Sequence, residues 1–234
     1  MHVTTTAHVL AGIPCLLAVS HDVPVPRPVV LWCHGFRADA LAHAAELERV
    51  AAAGFLAIGI DAVDHGARRD PQLAARVTAS AEGARPVMLE VVRQTAQELP
   101  ALIDGLVQHH CADRERVSVV GISMGAFICY LAIARSLPVR AVVSLLGDPE
   151  WRDDDSPHRQ LARFADVALL SVTAEHDVSV PPAPVRQFHR SLRHAFHSPR
   201  HHHHELRGAG HLTSAAAWDE AMVMTLDWLH RYGR

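Results

Sequence analysis

The segment Gly121-Ile122-Ser123-Met124-Gly125 constrains this chain more than any other. An apolar, β-branched run precedes it (residues 117–120) and a helix-forming stretch follows it (residues 126–134). A serine on a turn that passes straight from a strand into a helix sits in a strained backbone conformation. A side chain two positions to either side would collide with it or with neighbouring elements. Glycine at both places, Gly121 and Gly125, removes the clash. The pattern therefore predicts a strand ending at 122, a sharp turn at 123 and a helix from 124. A residue placed this way stands at the carboxyl end of its strand, where open α/β sheets bind ligands. It also stands at a helix N-terminus, whose unpaired N–H groups favour developing negative charge.

The rest of the chain must supply a sheet for that strand. Apolar runs at 29–33, 55–60, 117–122, 141–146 and 167–173 alternate with Ala- and Leu-rich helical stretches. That alternation predicts an α/β fold with a mostly parallel sheet and helices on both faces. Residues 3–10 and 13–20 read as a hairpin about Ala11-Gly12, and 201–207 as the last strand. Helices are expected over 39–53, capped by Asp39 and stopped at Gly54, and over 87–110, kinked or interrupted at Pro100. Further helices are expected over 124–136, 182–196 and 213–232. Residues 61–86 read as irregular or weakly helical, and 148–165 as a short lid or a surface helix. No repeat or composition break divides the chain, so residues 1–234 read as one domain.

Composition narrows the function classes. The formal net charge is −3 with no basic half, which leaves no electrostatic footprint for nucleic acid or an anionic membrane. All 22 basic residues are Arg, so no Lys is present to form a Schiff base. Cys15, Cys33, Cys111 and Cys129 are scattered and form no CxxC pair, which suits free thiols in a reducing compartment. No basic region followed by an apolar core opens the chain, and no apolar run reaches membrane-spanning length. A cytoplasmic, soluble protein is the expectation.

A serine hydroxyl is a weak nucleophile until an oriented base takes its proton. On this architecture the acid and then the base follow the serine in the chain. Asp177 lies in the loop after the 167–173 run, with Glu175 and Asp148 as rivals. There are 19 His, so a lone one means little, but His211 lies in the flexible turn 208–213 between the last strand and the last helix. The expected base is His211 and the expected acid Asp177. An oxyanion would need two backbone N–H donors. Met124 follows the serine, and Phe36 lies in His34-Gly35-Phe36 after the 29–33 strand.

Taken together, His34-Gly35-Phe36, residues 61–66, Gly121–Gly125, residues 176–181 and residues 210–213 resemble small bacterial carboxylesterases of the α/β-hydrolase superfamily. The likeness lies near the dienelactone-hydrolase and prolyl-oligopeptidase-like branches and runs from about Val29 to the C-terminus. It implies an α/β-hydrolase fold of about eight strands with minimal or no cap. It also implies hydrolysis of small soluble esters without cofactor or metal, a triad of Ser123, Asp177 and His211, and oxyanion donors Phe36 and Met124. The Asp64-His65-Gly66 turn reads as structural. Dienelactone hydrolases carry Cys as nucleophile, where this chain has Ser123, which turns the expectation away from a dienelactone substrate. An acyl thioesterase or lactonase with the same triad is the alternative. A hydrolase fold used only for binding, or a peptidase, fits less well, because every triad member and elbow glycine is present and no gating domain is. A homodimer is left open.

Other features are read as structural. The run His201–His204 would point alternate side chains to opposite faces of a strand, so four in a row cannot converge on one ion. Cys33 is expected to pack as a small apolar group, and Asp153-Asp154-Asp155 to be a solvated loop. His189 and His194 are expected on the surface.

Overall fold

The computed structural model describes residues 2–151 and 153–234. Among them one sheet of eight strands forms the centre, in the order β1-β2-β4-β3-β5-β6-β7-β8. The strands are β1 (Val3–Leu10), β2 (Ile13–Ser20), β3 (Arg27–Cys33), β4 (Leu56–Ile60), β5 (Ala112–Ile122), β6 (Ala141–Leu145), β7 (Ala168–Ala174) and β8 (His201–Leu206). The β1–β2 hairpin and the β2–β4 pair are antiparallel, and every other pairing is parallel. The central strands are apolar on both faces because both are covered. Val29, Leu31 and Cys33 of β3 pack with α3 (Ala84–His109), α4 (Met124–Ala134) and Phe188 of α5 (Ala183–Phe196). Val30 and Trp32 pack on the opposite face with α1 (Ala44–Ala52) and α6 (Ala215–Tyr232).

Connectivity fixes where a ligand can bind. From β3 the chain passes through α1 to β4, on one side. From β5 it passes through α4 to β6, on the other. Since β3 and β5 are neighbours, their loops diverge and leave a crevice at their carboxyl ends, the topological switch point. The loop at His34 and the turn at Ser123 both open there. Helix α4 is buried from Met124 through Ile133, which accounts for a sequence that is apolar all round.

Several expectations are corrected. Helix α3 runs unbroken through Pro100. The proline is exposed, while Leu99, Leu102, Ile103 and Leu106 are buried around it, so packing outweighs the lost N–H. The 39–53 stretch is split into a 3-10 turn (Leu41–His43) and α1, with the Ala42 N–H donating to Asp39 Oδ1 at 2.9 Å. Residues 61–86 are more ordered than expected. They hold a 3-10 turn, α2 (Leu73–Ala79) and the start of α3. Of the two readings for 148–165, the helix is the one found: residues 157–164 form a 3-10 helix against α4, with Pro157 and Phe164 buried. The aspartate run is a solvated loop as expected, with its exposed carboxylates ion-paired: Arg93 pairs with Asp153 and Asp155, and Arg159 with Asp154. Among the described residues no helix is long and apolar enough to cross a membrane.

Candidate active site

Ser123 is held at φ 51° and ψ −114°, a left-handed conformation that few non-glycine residues adopt. Its N–H donates to the Leu145 carbonyl at 2.8 Å, which ties the turn to β6. The elbow glycines are required by contact. A Cβ on Gly121 would stand 2.1 Å from the Gly125 carbonyl oxygen, and one on Gly125 would stand 2.0 Å from the Cys33 carbonyl oxygen. In both cases the obstacle is backbone, which cannot give way as a side chain can. Gly125→Ala is therefore expected to destabilise the fold by about 3 kcal/mol or more, at the upper end of overpacking costs. Urea unfolding of the purified variant checks this, and a midpoint equal to that of the wild type would contradict it.

The turn aims Ser123 at His211. Ser123 Oγ–H donates to His211 Nε2 at 3.0 Å, and His211 Nδ1–H donates to Asp177 Oδ2 at 2.7 Å. The second bond fixes the tautomer, because an ionised carboxylate can only accept. Asp177 has a fully buried side chain, and its other oxygen accepts the N–H groups of Ser179 (2.9 Å) and Val180 (2.8 Å). The two loops are joined by the His176 N–H donating to the Ala209 carbonyl at 2.8 Å. The imidazole is thus pinned from behind and offers Nε2 to the crevice.

Both rival acids are engaged elsewhere. Glu175 accepts the Gly208 N–H at 2.8 Å and so shapes the turn that carries His211. Asp148 accepts from Arg85 at 2.9 Å and from the Glu150 N–H at 2.7 Å. Its burial pushes the carboxyl pKa up, against the pull of Arg85. Cys33 is also removed from chemistry, since burial pushes its thiol pKa up to about 12.

The remaining expected site residues lie around the same turn. Met124 is the first residue of α4, so its N–H has no partner within the helix. Gly35 and Phe36 lie beside the elbow, and a Cβ on Gly35 would sit 3.8 Å from Ser123 Cβ. Sequence reasoning missed His34 and Asp61 behind this loop. His34 is fully buried, and burial lowers its pKa to about 4. Its Nδ1–H donates to the Gly35 carbonyl at 2.8 Å, and its Nε2 accepts the Ala62 N–H at 3.0 Å. The Asp61 carboxylate accepts the N–H groups of Ala40 (2.9 Å) and Ala67 (2.8 Å). The available signal was a polar residue closing each of two apolar strands that pair with one another.

The other histidines divide by face. His189 is not on the surface. It is fully buried, with Nε2 2.8 Å from Ser171 Oγ, and burial holds its pKa well below 6.5. His194 is exposed. Along β8, His201 bonds to the Phe164 carbonyl and His203 to Thr173, while His202 stacks on Trp228 and His204 pairs with Glu220. Among the described residues no group of three or more His, Cys, Asp or Glu could hold a metal ion.

A mostly parallel eight-stranded sheet, with a serine on a strand–turn–helix elbow at its switch point and an acid and a histidine on the following loops, has the architecture of the α/β-hydrolase class. Within that class, residues 13–231 match the profile of the Dienelactone hydrolase family, and the chain belongs to that family. It is 31% identical over 143 residues to Esterase YjfP of Escherichia coli (strain K12), a match that covers 59% of this chain and 53% of that esterase. The match thus spans about half the length of that relative. TT1662 from Thermus thermophilus superposes with a TM-score of 0.79 at 22% identity, covering 98% of this chain and 99% of the other. A puromycin-hydrolyzing peptidase of Mycobacterium tuberculosis superposes with a TM-score of 0.74 at 15% identity, covering 97% of this chain and 39% of the peptidase.

Proposed function

We propose that this chain is a serine hydrolase that cleaves small carboxylic esters through an acyl-enzyme. The carrying observation is the continuous Ser123–His211–Asp177 hydrogen-bond chain at 3.0 and 2.7 Å. In this reading His211 Nε2 takes the Ser123 proton as Oγ attacks the ester carbonyl carbon. The Phe36 and Met124 N–H groups receive the oxyanion. The tetrahedral intermediate collapses, the C–O bond to the alcohol breaks, and the alcohol leaves with the proton from His211. Water then attacks the acyl-enzyme with His211 as base and releases the acid and free Ser123. Asp177 keeps the imidazole in the required tautomer and stabilises the imidazolium.

A groove of about 790 Å³ is lined by Arg85, Leu89, Arg93, Glu150, Trp151 and Pro184. Trp151 stacks on Phe127, whose N–H donates to the Ser123 carbonyl. The family and the esterase relative support ester chemistry, and thioesters and lactones remain the alternative substrates for the same triad.

The test is turnover of chromogenic esters from acetate to octanoate, together with thioesters and lactones, and mass mapping of a fluorophosphonate adduct. Turnover of the short esters with the adduct on Ser123 is expected. Faster turnover of thioesters or lactones would move the substrate class within the same mechanism. No turnover and no adduct on folded protein would remove the hydrolase reading in favour of a binding role.

A further inference from the structure

We infer that His34 is a positioning residue for the oxyanion site: it fixes the Gly35–Phe36 peptide so that the Phe36 N–H faces the carbonyl attacked by Ser123. This rests on the hydrolase reading above. A trans peptide is planar, so its C=O and N–H point in opposite directions. The Gly35 carbonyl oxygen is held by two donors, His34 Nδ1–H at 2.8 Å and the Ala38 N–H at 3.1 Å. Anchoring that oxygen sets the direction of the Phe36 N–H on the other edge of the same plane. The Ala38 bond closes the local turn and moves with it. The His34 bond ties the turn to something outside it.

That outside frame is the 61–67 turn. The Ala62 N–H donates to His34 Nε2 at 3.0 Å, which only a neutral ring protonated at Nδ1 can accept. The His34 ring is fully buried and lies against His65, with centroids 5.3 Å apart. At the far end of the same loop, the Ala40 N–H donates to Asp61. Asp61 also accepts from Ala67, and a Cβ on Gly66 would lie 2.1 Å from its carboxyl carbon, so the carboxylate is clamped against the turn. Arg68 then ties the Asp61 carbonyl to Glu98 of α3. The loop that carries Phe36 is therefore cross-linked near both ends, by His34 to Ala62 and by Ala40 to Asp61. Donors held this way need no reorganisation as charge develops, which is what an oxyanion site requires.

Three substitutions separate the two ring nitrogens. His34→Asn keeps a donor near the Nδ1 position, His34→Gln keeps an acceptor near the Nε2 position, and His34→Leu keeps neither. For His34→Leu, kcat on a short ester is expected to fall by about 10- to 100-fold, less than outright removal of an oxyanion donor. KM should stay near the wild-type value. Affinity for a trifluoromethyl ketone, which forms a tetrahedral oxyanion adduct, should fall by the same factor as kcat. His34→Asn should retain more kcat than His34→Gln. A folded His34→Leu protein, checked by circular dichroism, with wild-type kcat and wild-type ketone affinity would overturn the inference. If His34→Leu does not fold, the Asn and Gln variants decide, and equal kcat in the two overturns it. Wild type that hydrolyses nothing and gives no Ser123 adduct overturns the hydrolase reading and this inference together. Active wild type with unaffected His34 variants overturns this inference alone.

Discussion

Ser123→Ala is expected to lower kcat for a short ester by about four to six orders of magnitude while leaving the fold intact, by analogy with removal of a triad serine elsewhere. The loss should be this large because no other group near the elbow can replace the serine. Cys33 is buried and its pKa is pushed up to about 12, so it offers no thiolate. Asp148 is committed to Arg85 and the Glu150 N–H. The small residual rate should come from the oxyanion donors and substrate binding alone. Asp177→Asn should cost about 10⁴ in kcat by a different route, because an amide facing His211 Nδ1 favours the wrong tautomer. The two losses should not add, since the residues act as a unit. Steady-state kinetics on both single variants and the double variant check this. A Ser123→Ala protein with wild-type kcat would place the chemistry elsewhere. Additive losses would mean that Asp177 works independently of Ser123.

These residues were legible in the sequence because each is fixed by a local steric or chain-order rule. Gly121 and Gly125 follow from the width of the elbow, and the contacts at 2.1 and 2.0 Å give that width a physical value. Asp177 and His211 follow from their place on the loops after late strands. What was not legible depends on contacts between elements far apart in the chain. His189 reads as one more histidine on a polar helix, and only the docking of α5 on β7 seals it against Ser171. Pro100 reads as a helix breaker, and only the burial of Leu99 and Leu102 against the sheet keeps α3 whole. The role of His34 depends on Ala62, 28 residues away, and strand pairing brings the two together. Local rules therefore place the atoms proposed to react. Tertiary pairing identifies which atoms hold them in place.

The same buried histidines should make the protein acid-labile between about pH 6.5 and 4. Burial disfavours the charged imidazole in the folded state, so the pKa of His34 is lowered from 6.5 to about 4, that of His203 also to about 4, and that of His189 well below 6.5. The unfolded chain binds these protons near pH 6.5. Above that pH the rings are neutral in both states and contribute no pH dependence. As pH falls below it, the unfolded state takes up protons that the folded state refuses, so stability falls. For fully buried His34 the loss approaches about 3 kcal/mol by pH 4, at about 1.36 kcal/mol per pH unit. His189 and His203 act in the same direction. Their rings stack with centroids 5.5 Å apart, so a proton on one opposes a proton on the other. The His34 share alone is a large fraction of a typical total stability of about 5–15 kcal/mol, and the other two rings steepen the fall. Urea unfolding at a series of pH values should show a midpoint falling steeply below pH 6 with little change in m. The loss precedes most carboxylate protonation, since Glu46, Asp113, Asp155 and Glu205 are all held below their ordinary values by hydrogen-bonded partners. His203→Gln should flatten the slope, because glutamine can keep a bond to Thr173 without titrating. A midpoint that stays level from pH 7 to pH 5 would mean that the folded protein admits these protons, and that the imidazoles are hydrated rather than sealed in the core.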